Sequence, residues 1–273
     1  MTIKSRNRFV IISFLITIVI LLIYALLFSY CYLLDSISFP QVKIDSNNSN
    51  SFLFSYSPYA VIISCFVEIF FACFIFRTVF KHFGKTQSSN IFFFLIFTIS
   101  VVIDSTRIFI PLLNIAGIFS KPLFVIGNAT IFSKILGLLS LFLVNYETSE
   151  GTFQNNDMSS IIIIVIALFF SIFIPLNTTT ILPNYTVSHA YYNLLKSTFF
   201  IIIILNSIVM YFSNQSKEYS QYTTIFFTTM SFGYYYLIYS TTYFSLIFSS
   251  LALAFGSCFY LRDLHNQYML YDQ

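Results

Sequence analysis

Long apolar runs alternate with short polar segments along the whole chain. Most runs hold about 20 residues, the length that an α-helix needs to cross a hydrocarbon core about 30 Å thick. The pattern predicts an all-α fold, a polytopic transmembrane helical bundle of about eight spans in a single domain that covers residues 1–273. The predicted spans are residues 9–34, 58–80, 90–113, 122–145, 159–176, 191–213, 221–239 and 242–261.

The first run has a basic flank that resembles the start of a signal peptide, with Lys4, Arg6 and Arg8. The apolar core of a signal peptide has about 7–15 residues and ends at a small-residue cleavage site. Here the apolar run continues beyond 20 residues, with no such site before Tyr30. We therefore expect an uncleaved signal anchor.

The composition agrees with a membrane protein, because 58% of the residues are hydrophobic and 8% are charged. Soluble domains carry about 25% charged residues. The formal net charge is only +3, and the basic residues sit in short clusters at segment ends. Nucleic-acid binding needs a continuous basic face, so we expect the lipid bilayer as a partner and no nucleic acid.

The Lys and Arg residues predict the orientation, since they collect on the cytoplasmic side of membrane proteins. With the N-terminus inside, the outer ends hold only Lys43 and Lys121, and both termini are cytoplasmic. The inner ends then hold Lys4, Arg6, Arg8, Arg77, Lys81, Lys85, Lys217 and Arg262.

The number of spans depends on the stretch 221–261, which carries no charge. It is too long for one helix and suits two, with a tight outer turn at Ser240-Thr241-Thr242. The alternative is a seven-span protein, which would place Arg262 outside. The longest outer loops are residues 35–57 and 177–190.

Four ionisable residues lie at depth in spans two to four: Glu68, Asp104, Arg107 and Lys134. A charge at the bilayer centre costs about 2.5–3.5 kcal/mol on insertion scales, so such residues usually have a reason to be kept. Asp104 and Arg107 are three apart on one helix face and can pair. Glu68 and Lys134 share a depth, which predicts that they are partners.

Two interpretations of these charges remain open. They form a polar site open to the outer side, which binds a small polar ligand or relays protons, or they neutralise one another and fix helix register. Pro111 leaves a backbone carbonyl free one turn beyond Arg107. His189 lies at the outer end of the sixth span. It is either a sensor of external pH or an interfacial side chain.

No chemical motif points to an enzyme. The chain has no HExxH, GxSxG, GxxxxGK[ST] or GxGxxG sequence, so we expect no catalytic residues and no cofactor.

Cys31, Cys65, Cys73 and Cys258 are scattered through apolar stretches, which predicts buried thiols and no metal site. The few glycines are not spaced as GxxxG, which predicts helix packing without close backbone crossings.

The layout resembles the membrane modules of bacterial sensor proteins, which have seven or eight helices followed by a cytoplasmic output domain. The stretches that carry the resemblance are FRTVFKHFGKTQSSNIFFF leading into IDSTRIFIPLL, and LRDLHNQYMLYDQ. The chain ends at Gln273, where a sensor would continue into a kinase or cyclase. The resemblance implies a bacterial inner membrane location and an output that comes from another polypeptide.

Three functions compete. The first is a non-enzymatic sensing or assembly module that acts through membrane or cytoplasmic partner proteins. The second is a small-solute transporter, or a membrane subunit of one, that uses the charges of spans two to four. A transporter predicts matching halves, whereas spans five to eight carry almost no charge. The third is an enzyme acting on lipid, whose only candidate pair is Asp104 with His189.

Overall fold

The computed structural model describes residues 3–37, 39, 52–84, 89–115, 120–150, 156–216 and 221–271. Much of the predicted outer loop 35–57, together with Lys43, Lys85 and Lys217, lies outside these residues. The described chain is an all-α bundle, as predicted, with one small β-hairpin. Its elements are α1 Ile3–Leu33, α2 Pro58–Phe83, α3 Ser89–Asp104, a 3₁₀ turn Ser105–Ile108, α4 Phe109–Leu112, α5 Ser120–Glu150, α6 Asn156–Phe173, β1 Leu176–Ile181, β2 Val187–His189, α7 Tyr192–Ser216, α8 Gln221–Ile238 and α9 Tyr243–Tyr271.

Six helical segments of the described chain are long and apolar enough to cross a membrane. Two of the eight predicted spans form shorter or more polar helices. The apolar part of α6 is limited to Met158–Phe173, and α8 is rich in Thr and Tyr. The six long segments are Lys4–Leu33, Pro58–Phe83, Ser89–Leu112, Lys121–Asn145, Tyr192–Phe212 and Tyr243–Asn266.

The segment Ser89–Leu112 lies at the centre of the bundle. Its most apolar window is 78% buried, against 22% for the windows of α1 and α7. It packs against α5 on one side and α2 on the other. Its polar residues are therefore surrounded by protein, and the polar residues of α2 and α5 can reach them.

The contact between α8 and α9 corrects the prediction that helices do not cross closely. Gly256 of α9 lies against the backbone of α8, where an added Cβ would meet the Met230 nitrogen at 2.6 Å. Gly233 of α8 lies as close to the backbone of Leu253. Each helix supplies one glycine, so the crossing needs no GxxxG repeat on either helix.

One end of the bundle, here called the N-terminal end, joins the start of α1 to the end of α2. The Arg6 guanidinium donates to the Phe83 carbonyl at 2.5 Å, and the Asn7 amide donates to the Gly84 carbonyl at 2.8 Å. The last carbonyls of a helix have no partner within that helix. The two side chains of α1 therefore cap α2.

The opposite end, the hairpin end, contains the hairpin β1–β2. The two strands are antiparallel, with Leu176 opposite His189 and an irregular register beyond Asn177. The predicted loop 177–190 is thus ordered secondary structure. Beside it, the Ser57 amide donates to the Thr241 carbonyl at 3.1 Å, which ties the start of α2 to the turn between α8 and α9.

Candidate functional site

Arg107 is the centre of the buried polar network and is fully shielded from solvent. Its Nη2 donates to Glu68 Oε1 at 2.5 Å and to Ser64 Oγ at 3.1 Å, both on α2. Its Nη1 donates to the Ile238 carbonyl at the end of α8, at 2.6 Å. One guanidinium therefore links the central segment to two other helices through charge-assisted hydrogen bonds.

The local backbone brings Asp104 and Arg107 together. Arg107 lies in the 3₁₀ turn Ser105–Ile108, which begins directly after Asp104 and ends before Pro111. Side chains three residues apart eclipse one another in a 3₁₀ turn. The Asp104 carboxylate is 3.7 Å from Arg107 Nη1, and Ser133 Oγ of α5 donates to its other oxygen at 3.0 Å. The predicted Asp104–Arg107 pair is confirmed.

The predicted Glu68–Lys134 pair is wrong. Glu68 pairs with Arg107, and among the described residues no carboxylate oxygen lies within 4.0 Å of Lys134. The 3₁₀ turn packs against both α2 and α5. Arg107 in this turn therefore forms the ion pair with Glu68 that was predicted for Lys134. Equal depth fixes the height of two side chains but not the helix faces on which they lie.

Lys134 contacts an aromatic ring instead of an acid. Its ammonium is 5.2 Å from the centroid of Tyr239, and the Lys196 ammonium is at the same distance from that ring. A ring face attracts cations through its quadrupole. Lys134 is 5% exposed, so the structure holds this cation inside the protein, against the face of the Tyr239 ring.

Three polar atoms of the network have no hydrogen-bond partner among the described residues. They are Glu68 Oε2, Asp104 Oδ2 and Arg107 Nε. Asp104 Oδ2 still lies in ion-pair range of Arg107. Buried polar atoms usually find a partner, so these two acceptors and one donor could bind a small polar molecule.

The tip of the hairpin seals the network at its end of the bundle. Asn184, Tyr185 and Thr186 are all buried. The Asn184 amide donates at 3.1 Å to the Ile238 carbonyl, the same carbonyl that accepts from Arg107. The Thr186 hydroxyl donates a hydrogen bond to Asn184 Oδ1 at 2.8 Å. The hairpin and the network therefore share one acceptor.

Tyr185, at the tip of the hairpin, is fully buried. It has a φ of +58° and packs in a cluster with Tyr24, Cys65 and Leu112. Its hydroxyl donates to the Pro58 carbonyl at 3.4 Å. The burial of Asn184 and Tyr185 was not predictable from the sequence, because they lie in a polar stretch where nothing in the local pattern signals burial.

His189 lies at the end of β2, where its ring is 5.5 Å from that of Tyr192. Partial burial, and then the positive charge of Lys134, lower the pKa of His189 to about 4. The imidazole is therefore neutral near neutral pH. This favours the interfacial interpretation of His189 over a sensor of pH near neutrality.

The described residues contain no group of three or more His, Cys, Asp or Glu residues placed to hold a metal ion. Cys31 and Cys65 are buried free thiols, while Cys73 and Cys258 are partly exposed. Asp104 is engaged by Ser133 and Arg107 rather than by His189.

No protein-family model, no curated protein and no solved structure matches this chain.

Proposed function

We propose that this chain is a multi-pass protein of a cell membrane, the bacterial inner membrane, with eight passes and both termini in the cytoplasm. The six long apolar helices support this location. So does the apolar surface of the bundle, on which Leu26 is 69% exposed and Ile172 is 64% exposed. Large exposed apolar surfaces are rare on soluble monomers. The other two passes are the more polar α8, which crosses the membrane beside α9, and α6, which crosses it beside α5.

The function that the geometry supports best is a non-enzymatic sensing or assembly module that acts through partner proteins. The observation that carries it is the complete burial of Arg107, with bonds to α2 and α8 and an ion pair within its own segment. A buried, ion-paired network of this kind fixes the positions of its helices. A fixed frame of this kind suits a protein whose outer faces bind partners.

Gentle purification from native membranes, followed by mass spectrometry of the retained molecules, tests this function. We expect a protein partner in stoichiometric amount. We also expect a Lys134→Gln variant to retain that partner, because Lys134 lies outside the paired part of the network. Recovery of the chain without a protein partner would overturn the assembly function.

The second candidate is a small-solute transporter, or a membrane subunit of one, and Lys134 is the observation that favours it. This buried cation has no carboxylate within 4.0 Å in the described chain, and it faces Tyr239 near the hairpin end. An anionic or polar solute would find there a cation that is not neutralised by contact. In this case the purified chain carries a bound solute, and Lys134→Gln loses it.

Access to Cys65 distinguishes the two candidates independently of purification. Cys65 is fully buried and packs beneath Tyr185. With Cys73 and Cys258 replaced by Ala, a sealed module leaves Cys65 unreactive toward a membrane-impermeant thiol reagent. A transporter that opens toward the hairpin end exposes it, and Cys65→Ala identifies the signal.

A further inference from the structure

A cleft of about 550 Å³ lies between α2 and α9 at the N-terminal end of the bundle. Its mouth carries Arg77 and Lys81 of α2 and Arg262 of α9, all exposed. His82 and His265 complete the mouth, with ring centroids 5.6 Å apart. Arg77, Lys81 and Arg262 contribute to the predicted orientation, and the charge network does not involve them.

The walls of the cleft change from basic to apolar within one helical turn. Phe74 lies three residues before Arg77 on α2, and Cys258 lies four residues before Arg262 on α9; both line the cleft. Residues three and four apart share one face of a helix. Both helices therefore present a base at the mouth and an apolar side chain about one turn deeper.

The positive charge of the cleft is not neutralised by the described protein. No Asp or Glu lines it, and no ion pair involves Arg77, Lys81 or Arg262 in the part of the chain that the structure describes. The nearest acid along α9, Asp263, accepts a hydrogen bond from Thr223 of α8. Among the described residues, these three bases are therefore available to an anion that enters the cleft.

We propose that this cleft binds an anionic phospholipid, with the phosphate between Arg77 and Arg262 and the start of an acyl chain against Phe74. The inference rests on the membrane location proposed above, because the cleft lies at the ends of the segments Pro58–Phe83 and Tyr243–Asn266. That is the level of lipid headgroups. Basic pockets between helices on the cytoplasmic side are suited to anionic headgroups. A free anion would leave the apolar part of the cleft uncovered.

The test is native mass spectrometry of the full chain in neutral detergent, with phosphatidylglycerol and phosphatidylcholine of identical acyl chains. We expect phosphatidylglycerol to bind at least about tenfold more tightly. The double variant Arg77→Gln/Arg262→Gln should weaken phosphatidylglycerol binding about thirtyfold, which corresponds to about 2 kcal/mol, and should leave phosphatidylcholine binding unchanged. Both arginines are exposed, so the variant should fold.

The matched control is Lys4→Gln/Arg8→Gln, which removes two exposed bases from the same end of the bundle but outside the cleft. It should keep the preference for phosphatidylglycerol. Equal binding of the two lipids, or an equal loss in the control variant, would overturn the proposal. Displacement of phosphatidylglycerol by millimolar inorganic phosphate would overturn it in favour of a free anion site. Retention of the chain in carbonate-washed membranes reports on the membrane location separately.

Discussion

Arg107 shows how one residue can hold a helical bundle together. Its side chain carries five N–H donors in a planar fork, and it uses them on a carboxylate, a hydroxyl and a backbone carbonyl. A lysine at this position could not spread its charge over partners on two helices in fixed directions. The two acids Glu68 and Asp104 balance Arg107 and the more distant Lys134, so the four formal charges sum to zero.

A double-mutant cycle tests this arrangement. We expect Arg107→Met to destabilise the protein by about 3–5 kcal/mol, because it leaves two buried carboxylates without their cation. The coupling free energy between Glu68→Gln and Arg107→Met should be about 1–3 kcal/mol, as for residues in one network. Unfolding in mixed micelles measures both quantities.

The control cycle pairs Glu68→Gln with Lys134→Met. Its coupling energy should be clearly smaller, because the two side chains form no ion pair. A larger coupling in the Glu68–Lys134 cycle than in the Glu68–Arg107 cycle would contradict the geometry.

His189 gives a pH prediction outside the spans. Its folded pKa of about 4 lies below the value of about 6.5 for an unfolded chain. The contribution of neutral His189 to stability is therefore fully present above about pH 6.5 and is lost as the pH falls toward 4. We expect His189→Gln to flatten the fall in melting temperature over this range.

Ser188→Ala is the control for His189, because Ser188 precedes it on β2 and has no titratable side chain. It should leave the pH profile as in the wild type. A His189→Gln profile as steep as the wild type would show that other groups cause the fall.

At the residue scale, the sequence predicted the Asp104–Arg107 contact, because a spacing of three determines a helix face. It could not predict which cation meets Glu68, because that depends on how the helices are rotated about their axes. Nor could it predict the Ile238 carbonyl as a ligand of Arg107, since every residue carries such a group.

At the scale of the elements, the backbones of α8 and α9 approach each other closely, and two glycines allow this approach. At each glycine the partner is backbone rather than a flexible side chain. An added methyl group therefore has nowhere to move. Helix association in membranes depends on such close packing, because lipid supplies no hydrophobic driving force between helices.

Gly256→Ala tests the crossing. We expect a loss of about 1–3 kcal/mol, typical of overpacking, even though alanine is the better helix former. The melting temperature in detergent measures it. Ala254→Leu adds more volume on the exposed face of the same helix and should have little effect; an equal loss in both variants would contradict the role of the crossing.

The helices themselves were largely predictable, because each run of apolar residues carries its own signal. The hairpin β1–β2 was not. Its strand residues Leu176–Ile181 include a run of Thr and no long alternation, and its burial comes from elements far away in sequence. The positive φ of Tyr185 is likewise imposed by packing, since tyrosine has no local preference for that conformation.

For the whole molecule, the number of passes decides the location of the C-terminus. An eight-pass chain has both termini on one side, whereas a seven-pass chain has them on opposite sides. We expect tags at both termini to be protected from external protease in spheroplasts, in which the outer face of the inner membrane is accessible. Digestion of a C-terminal tag from outside, with the N-terminal tag protected, would support the seven-pass alternative.

The hydrogen bond between Arg107 and Ile238 also has a consequence for biosynthesis. The two residues are 131 positions apart, and ribosomes add about 5–20 residues per second. Ile238, which supplies the acceptor, is therefore synthesised about 7–26 s after Arg107, which supplies the donor. Glu68 and Asp104 are made in time to neutralise Arg107 during this interval, so the nascent chain can insert its charges as a paired set before the carbonyl and the hairpin complete the site.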